Sequence, residues 1–230
     1  MPLKTLPEWL KYLEKSHPVE MEFGLDRISK VAKLLRLPAN GHQLDRSLGQ
    51  QDCVNNTEEL TIATKVITIG GTNGKGSCVA ILDSILREAG YRVGCYTSPH
   101  LIKFNERITI NGQHSSDLDI CLAFEEINKA RKSISLSIFE FSTLAALLIM
   151  SNSNLDIAIL EVGLGGRLDA VNLIDPQLSI ITGVALDHQQ WLGNDLDSIA
   201  REKAAIGRSG IVMLYGDTKP VHGIVQAARN

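Results

Sequence analysis

Apolar and polar positions follow two different patterns along the chain. Near the amino end, apolar residues recur every three or four positions, which is the period of a helix with one buried face. This period predicts helices at residues 6–15 and 25–37, and Pro38 ends the second. The polar stretch at residues 39–64 lacks sustained periodicity and is predicted to be a long loop. The pattern changes after it.

From residue 65 onward, short apolar runs alternate with helical patterns. Strands that are apolar almost throughout, with helices between them, predict an α/β fold: a mainly parallel sheet with helices on both faces. Ligands of such sheets bind at the carboxyl ends of the strands. The predicted strands are residues 66–69, 92–96, 107–110, 156–161, 178–184 and 211–215, and the predicted helices are residues 77–89, 118–133, 141–150 and 195–206.

Composition excludes several classes of partner. The formal net charge is -3 and the pI is about 6.1, so the chain lacks the basic excess with which proteins bind nucleic acids or anionic membranes. The longest apolar run, residues 144–150, is too short to cross a bilayer. No secretory signal pattern opens the sequence, and the four cysteines have no metal-binding spacing. We therefore expect a soluble cytoplasmic protein, and we also predict that it is a monomer.

A glycine-rich segment, GGTNGKGS at residues 70–77, lies between a predicted strand and a predicted helix. Glycines allow backbone N–H groups to converge on phosphate oxygens, and the start of the helix attracts anions. Lys75 can neutralise the β and γ phosphates, and the Ser77 hydroxyl can reach Mg²⁺. Gly76 separates this lysine and serine, unlike in the usual P-loop, so a plain glycine turn is the alternative. The residues predicted to bind ATP are Gly71, Thr72, Asn73, Gly74, Lys75, Gly76 and Ser77.

Three ionisable residues occupy informative positions. Glu161 ends an apolar strand, where a carboxylate can complete Mg²⁺ coordination beside a phosphate loop; a capping or surface role is the alternative. His188 follows another strand, although a lone histidine is commonly structural. Lys203 falls on the apolar stripe of the helix at residues 195–206. It either extends to solvent or is a desolvated, reactive amine.

Several strings together resemble the folylpolyglutamate synthase/dihydrofolate synthase family of the Mur ligase superfamily. They are GGTNGKGS, TSPHL, FNERITING, FEFSTLAAL, LEVGLGGRLDAVN, LDHQQWLG and REKAAIG, and the resemblance runs from about residue 22 to residue 217. It implies a P-loop ATPase domain, the Mur ligase central domain, at residues 65–230. Helices and a polar loop at residues 1–64 would pack on this domain. The family's carboxyl-terminal glutamate-ligating domain is absent from the sequence, so we expect a truncated product.

The resemblance also implies roles for individual residues. Ser98 and Glu161 would bind a first Mg²⁺, which Ser77 also reaches, and His188 would bind a second. The counterpart of Lys203 is carbamylated by CO₂ in related ligases, and we expect the same here. The candidate catalytic residues are thus Lys75, His188 and Lys203. The residues that match the family's pterin pocket are Asp26, Arg27, Phe139, Glu140, Leu168, Asp169 and Ala170. From pattern alone, the first four could equally be ordinary helix surface or core.

The implied reaction is ATP-dependent amide formation. ATP would activate a carboxylate as an acyl phosphate, and the amine of L-glutamate would then displace phosphate. The acceptor would be dihydropteroate in dihydrofolate synthesis and a folate glutamate tail in polyglutamate extension. Two alternatives remain: a truncated nucleotide- and pterin-binding remnant without ligase activity, and a Mur-type ligase of a cell-wall precursor. The chain departs from the family at Gln189 and Gln190, where members usually have Thr-Asp.

Overall fold

The computed structural model describes residues 4–17, 22–39 and 59–229, and these form eight α-helices and seven strands. The helices are α1 (Leu6–Leu13), α2 (Asp26–Leu34), α3 (Lys75–Glu88), α4 (Asp117–Arg131), α5 (Ile138–Ser151), α6 (Gln189–Leu192), α7 (Leu196–Ala204) and α8 (His222–Ala227). The strands are β1 (Lys65–Gly70), β2 (Val93–Tyr96), β3 (Ile108–Ile110), β4 (Gln113–His114), β5 (Ile157–Glu161), β6 (Leu178–Ile181) and β7 (Val212–Tyr215).

All seven strands form one sheet in the order β4-β3-β2-β5-β1-β6-β7. Five of them run parallel, and the hairpin of β3 and β4 is antiparallel at one edge. The expectation of a mainly parallel sheet is therefore confirmed. The register pairs Ile69 with Glu161 and Gly70 with Ile181, so β1, β5 and β6 end at the same edge. The segments that follow these three strands consequently meet there.

Helices pack on both faces of the sheet, because side chains alternate between the faces along each strand. The largest core cluster joins α1, α2, α4 and α5 to one face. At its centre the buried ring of Trp9 meets Phe124 and Phe141 at centroid distances of 5.8 and 6.4 Å. α3 packs on the opposite face, with Val79 against Ile69. None of the helices in the described ranges is long and apolar enough to cross a bilayer.

The predicted elements exist, but their boundaries shift. α3 begins two residues earlier than predicted, because Gly74 takes a left-handed backbone (φ 80°) and ends the loop there. α2 ends at Leu34, shortly before Arg36 takes a positive φ of 59°. The short elements β4, α6 and α8 were not predicted, since they are too brief to show a period. Most of the predicted loop at residues 39–64 lies outside the described residues.

Candidate active site

The glycine loop connects the end of β1 to the first turn of α3. Gly74 caps this helix, and the first helical hydrogen bond runs from the Cys78 N–H to the Gly74 carbonyl at 2.9 Å. The N–H groups of Lys75, Gly76 and Ser77 precede that bond, so the helix offers them no acceptor. An anion placed here would meet these donors together with the positive end of the helix dipole. The geometry therefore suits a phosphate.

The segment after β6 contacts the glycine loop and hydrogen-bonds to its backbone. Gly71 has a φ of 138°, and a Cβ at this position would lie 2.0 Å from Thr182 Oγ1. Thr182 Oγ1 donates to the Asn73 carbonyl at 2.6 Å, and the Thr72 N–H donates to the Gly183 carbonyl at 2.9 Å. Position 71 therefore requires glycine for two reasons, its backbone angle and this close approach.

Two lysine ammonium groups converge on one carbonyl of the loop. Lys75 Nζ donates to the carbonyls of Gly71 and Thr72 at 3.2 and 3.3 Å, and Lys203 Nζ donates to the Gly71 carbonyl at 3.2 Å. Lys203 is only 4 % exposed, so the alternative in which it extends to solvent is wrong. Burial, followed by the nearby charge of Lys75, lowers the pKa of Lys203 to about 8.

Glu161 lies beside the loop, as its place at the end of β5 predicted. Its side chain is buried, and its Oε2 accepts the Ser98 N–H at 3.1 Å. A Cβ on Gly76 would lie 3.8 Å from both carboxylate oxygens. Burial raises the pKa of Glu161, while the Ser98 N–H and the charge of Lys75 act in the opposite direction. The alternative of a surface or helix-capping glutamate is therefore wrong.

A cavity of about 540 Å³ lies between the loop, α3 and the segment after β2. Glu161, Ser77 and Ser98 all line it. Because Mg²⁺ prefers oxygen ligands and usually keeps water or phosphate oxygens in its shell, one carboxylate with two hydroxyls fits a magnesium–nucleotide site. Within the described ranges, no three His, Cys, Asp or Glu side chains gather into a ready-made metal site. Phosphate and water would supply the remaining ligands.

His188 caps the short helix α6 with a left-handed backbone (φ 48°, ψ 39°). Its side chain is half exposed, and Nε2 lies 3.6 Å from Asp187 Oδ2. It does not line the cavity that Glu161 lines. A role for His188 in binding a second Mg²⁺ therefore stays a prediction.

A second cavity, of about 250 Å³, adjoins the first, and Ser98 and Pro99 line both. The glycine-rich turn after β5, at residues 163–170, and the start of α5 contribute much of its wall. Five residues predicted for the pterin pocket line the cavity, namely Phe139, Glu140, Leu168, Asp169 and Ala170. The other lining residues are Glu22, Phe23, Gly24, Arg107, Ser137, Gly163 and Leu164.

Asp26 and Arg27, predicted for the same pocket, do not line this cavity, and their role in the pocket stays a prediction. Asp26 is the exposed first residue of α2. Arg27 lies behind the cavity wall, where Nη2 donates to Glu140 Oε1 at 3.2 Å and Nη1 pairs with Glu22. Arg27 therefore acts on the pocket through two carboxylates that line it. The pattern of α2 could not show the pairing with Glu140, which lies 113 positions away in the sequence.

Asp169 is almost completely buried in the cavity wall. Its Oδ1 accepts the Val171 N–H and its Oδ2 accepts the Leu164 N–H, both at 2.9 Å. Burial raises the pKa of Asp169 to about 6, although these N–H groups favour the charged form. The carboxylate fixes the turn and retains acceptor capacity for a ligand donor.

Comparison with known proteins finds synthases that are similar to this chain. The dihydrofolate synthase/folylpolyglutamate synthase of Escherichia coli is 42 % identical over 224 residues, which are 97 % of this chain and 48 % of the relative. The chain is a homologue of these synthases. The chain spans about half the length of the synthases that it matches. No protein-family profile matches the chain.

Solved structures of synthases share the fold. Escherichia coli FolC in complex with DHPP and ADP superposes with a TM-score of 0.87 at 40 % identity, covering 100 % of this chain and 50 % of that one. A bifunctional folylpolyglutamate synthase/dihydrofolate synthase with Mn, AMPPNP and L-glutamate bound has a TM-score of 0.83 at 42 % identity, covering 98 % and 50 %. The chain therefore has the fold of these Mur ligase-like proteins.

Phe23 and Ser137 are among the lining residues that were not predicted from the sequence. Ser137 forms a capping box with Glu140: the Ser137 N–H donates to Glu140 Oε2 at 2.7 Å, and the Glu140 N–H donates to Ser137 Oγ at 3.2 Å. The Ser-x-x-Glu spacing is a known signal of a helix start and could have located this wall. Phe23 carries no such signal, because only the tertiary fold brings it to the cavity.

Proposed function

We propose that the chain binds Mg·ATP on the glycine loop and a dihydropteroate or folate in the adjoining cavity, as the ATP-dependent part of a glutamate ligase. The observation that carries this proposal is the wall that Ser98 and Pro99 give to both cavities. A γ-phosphate on the loop and an acceptor carboxylate in the second cavity would meet at that wall. The ADP, DHPP, AMPPNP and L-glutamate bound by the two related proteins support this assignment.

The reaction consists of two transfers. The acceptor carboxylate attacks the γ-phosphorus of ATP, the bond to the β-phosphate oxygen breaks, and ADP leaves. The amine of L-glutamate then attacks the carbonyl carbon of the acyl phosphate, loses a proton and expels inorganic phosphate. In this scheme Lys75 exchanges the Gly71 and Thr72 carbonyls for phosphate oxygens. Its charge and the loop N–H groups stabilise the negative charge that develops during phosphoryl transfer.

Glu161, Ser77 and Ser98 would hold the first Mg²⁺, and His188 a second. Bound Mg²⁺ neutralises phosphate oxygens and orients them for in-line attack. The buried carboxylate of Glu161 favours such a partner, since a cation compensates the unfavourable burial of its charge.

Lys203 would carry a carbamate. Its neutral amine would attack the carbon of CO₂, form a C–N bond and release one proton. Burial of the side chain and the pKa of about 8 support this chemistry, because a larger share of the amine is neutral near physiological pH. NMR with ¹³C-bicarbonate should show a carbamate signal that Lys203→Met loses. A missing signal in the Mg·ATP-bound wild type would contradict the modification.

The nucleotide site is tested by the substitution Glu161→Gln. Calorimetry with AMPPNP should show affinity about tenfold weaker in the presence of Mg²⁺, because the metal loses its only charged protein ligand. Affinity without Mg²⁺ should change little, since the amide oxygen can still accept the Ser98 N–H. Glu125→Gln on α4, whose partner is Lys129, is the matched control. Equal Mg²⁺ dependence in wild type and Glu161→Gln would contradict the proposed metal site.

An alternative is a nucleotide- and pterin-binding protein without ligase activity. A coupled assay of ADP release with dihydropteroate and L-glutamate separates the two. Turnover that depends on both co-substrates supports the ligase, and binding without turnover supports the alternative. The chain's half-length match to the synthases makes this assay decisive for the activity of the chain itself.

A further inference from the structure

An aromatic pair connects the second cavity to the turn that carries His188. The Phe23 ring lines the cavity and meets the Trp191 ring edge to face, at a centroid distance of 5.5 Å and an interplanar angle of 60°. Trp191 lies on α6, and its backbone N–H donates to the His188 carbonyl at 2.8 Å. One side chain thus separates the cavity wall from the His188 backbone.

Phe23 and Trp191 also line a smaller cavity, of about 80 Å³. Phe23 therefore lines two cavities, and its ring packs edge to face on Trp191 between them and the surface turn of α6. Trp191 is itself 45 % exposed, so the pair forms a wall at the protein surface rather than part of the closed core. Such a wall can move when its support is removed.

The α6 helix that carries Trp191 is anchored to the other side of the pocket as well. A Cβ on Gly165 would lie 2.8 Å from Leu192 Cδ2, and a Cβ on Gly163 would lie 2.6 Å from the Phe139 ring. The glycine turn after β5 therefore approaches α6 and the pocket ring Phe139 closely. These close approaches fix the position of α6, and with it that of Trp191, relative to the cavity.

We propose that Trp191 is a positioning residue of the acceptor pocket, which holds the Phe23 ring as a wall against which the flat ring system of the acceptor packs. The inference rests on the proposed function, which supplies the acceptor class. Phe23 and Phe139 both line the cavity, and aromatic rings pair favourably with planar heteroaromatic ligands. Trp191 does not line this cavity, and it acts through Phe23.

Trp191→Leu removes the edge-to-face contact and keeps an apolar side chain. Calorimetry should show that its affinity for pteroate is weaker by about fivefold, with AMPPNP affinity within about twofold of wild type. Trp191→Phe should restore pteroate affinity, because a phenyl ring can still meet Phe23. Tyr91→Leu changes an aromatic residue of similar exposure, 49 %, outside both cavities. This control should bind pteroate as wild type does.

A spectroscopic measurement separates this role from general destabilisation. The chain has two tryptophans, Trp9 and Trp191, and Trp9 is fully buried in the core. In protein labelled with 5-fluorotryptophan, Trp191→Phe assigns the two ¹⁹F resonances. Pteroate should shift the Trp191 resonance and leave the Trp9 resonance in place. In Phe23→Leu at saturating pteroate, that shift should disappear.

The outcomes distinguish the inference from the function on which it rests. If wild type binds Mg·AMPPNP but not pteroate, the proposed acceptor class is wrong, and the inference falls with it. If wild type and Trp191→Leu bind pteroate equally well, only the role of Trp191 is overturned. A pteroate-induced shift of Trp9 in place of Trp191 would overturn it too.

Discussion

The pKa of Lys203 depends strongly on folding. It is about 8 in the folded chain against an ordinary value of 10.5. Between these values the unfolded state binds more protons than the folded state, so the stability contribution of this group rises with pH across that window. Below the window the amine is protonated in both states, and the ammonium must be buried on folding.

Replacing this lysine should change how stability depends on pH. Lys203→Met removes the buried ammonium. The free energy of unfolding of the variant should therefore rise relative to that of wild type near pH 7, and this relative increase should disappear near pH 10. The change in the stability difference should reach up to about 3 kcal/mol. Urea unfolding at both pH values in CO₂-free buffer measures it. Lys129→Met, at a 73 % exposed side chain, should show no such change, and identical behaviour of both variants would contradict the assigned burial.

At the residue scale, position in an element predicted burial better than it predicted partners. Glu161 and Lys203 were recognised because an apolar strand end and an apolar helix stripe both imply burial. The shared use of the Gly71 carbonyl by two lysines had no sequence signal, since it depends on side-chain conformations across 132 positions. The pairing of Arg27 with Glu140 was hidden for the same reason.

At the element scale, the start of α5 combines a helix cap with a pocket wall. Ser137→Ala removes the acceptor for the Glu140 N–H and should cost about 1 kcal/mol of stability. Because Ser137 and Glu140 both line the second cavity, pteroate affinity should fall as well. Chemical denaturation and calorimetry measure the two effects.

The cap of α4 provides a matched control. Ser116 Oγ accepts the Asp119 N–H at 3.1 Å in an equivalent capping box, but Ser116 does not line the second cavity. Ser116→Ala should therefore lose similar stability and keep its pteroate affinity. Loss of affinity in both variants would mean that stability, and not the pocket wall, controls binding.

Most helices could be predicted from the period of their apolar residues and most strands from short apolar runs, but the ends of these elements could not. The strands from β1 to β7 are bounded by hydrogen bonds to neighbours, which a single strand does not reveal. Thus β6 stops at Ile181, three residues before the predicted end, because the following segment turns to hold the glycine loop through Thr182 and Gly183. These contacts with the glycine loop leave no mark in the apolar pattern of the strand, so the end of β6 could not be predicted from it.

At the scale of the whole molecule, the sheet is not covered evenly. Parallel strands are usually buried on both faces, yet Val212 and Leu214 of β7 are 62 % and 49 % exposed. They lie beside Leu178 and Ile180 of β6 in the parallel register. Among the described residues, no helix closes this apolar patch at the edge of the sheet. If the chain self-associates, contrary to the predicted monomeric state, we expect the contact to form at β7.

Charging this patch should make the chain less prone to self-associate. Val212→Lys with Leu214→Lys places two like charges on the exposed edge strand, where charge opposes pairing with a second copy. Stability should change by less than about 1 kcal/mol, because both side chains already face solvent. Light scattering and sedimentation across a concentration series measure association. Leu34→Lys with Leu118→Lys adds the same charge on α2 and α4, at side chains of similar exposure. If this control suppresses association equally, net charge is the cause, and the patch on β7 is not an association surface.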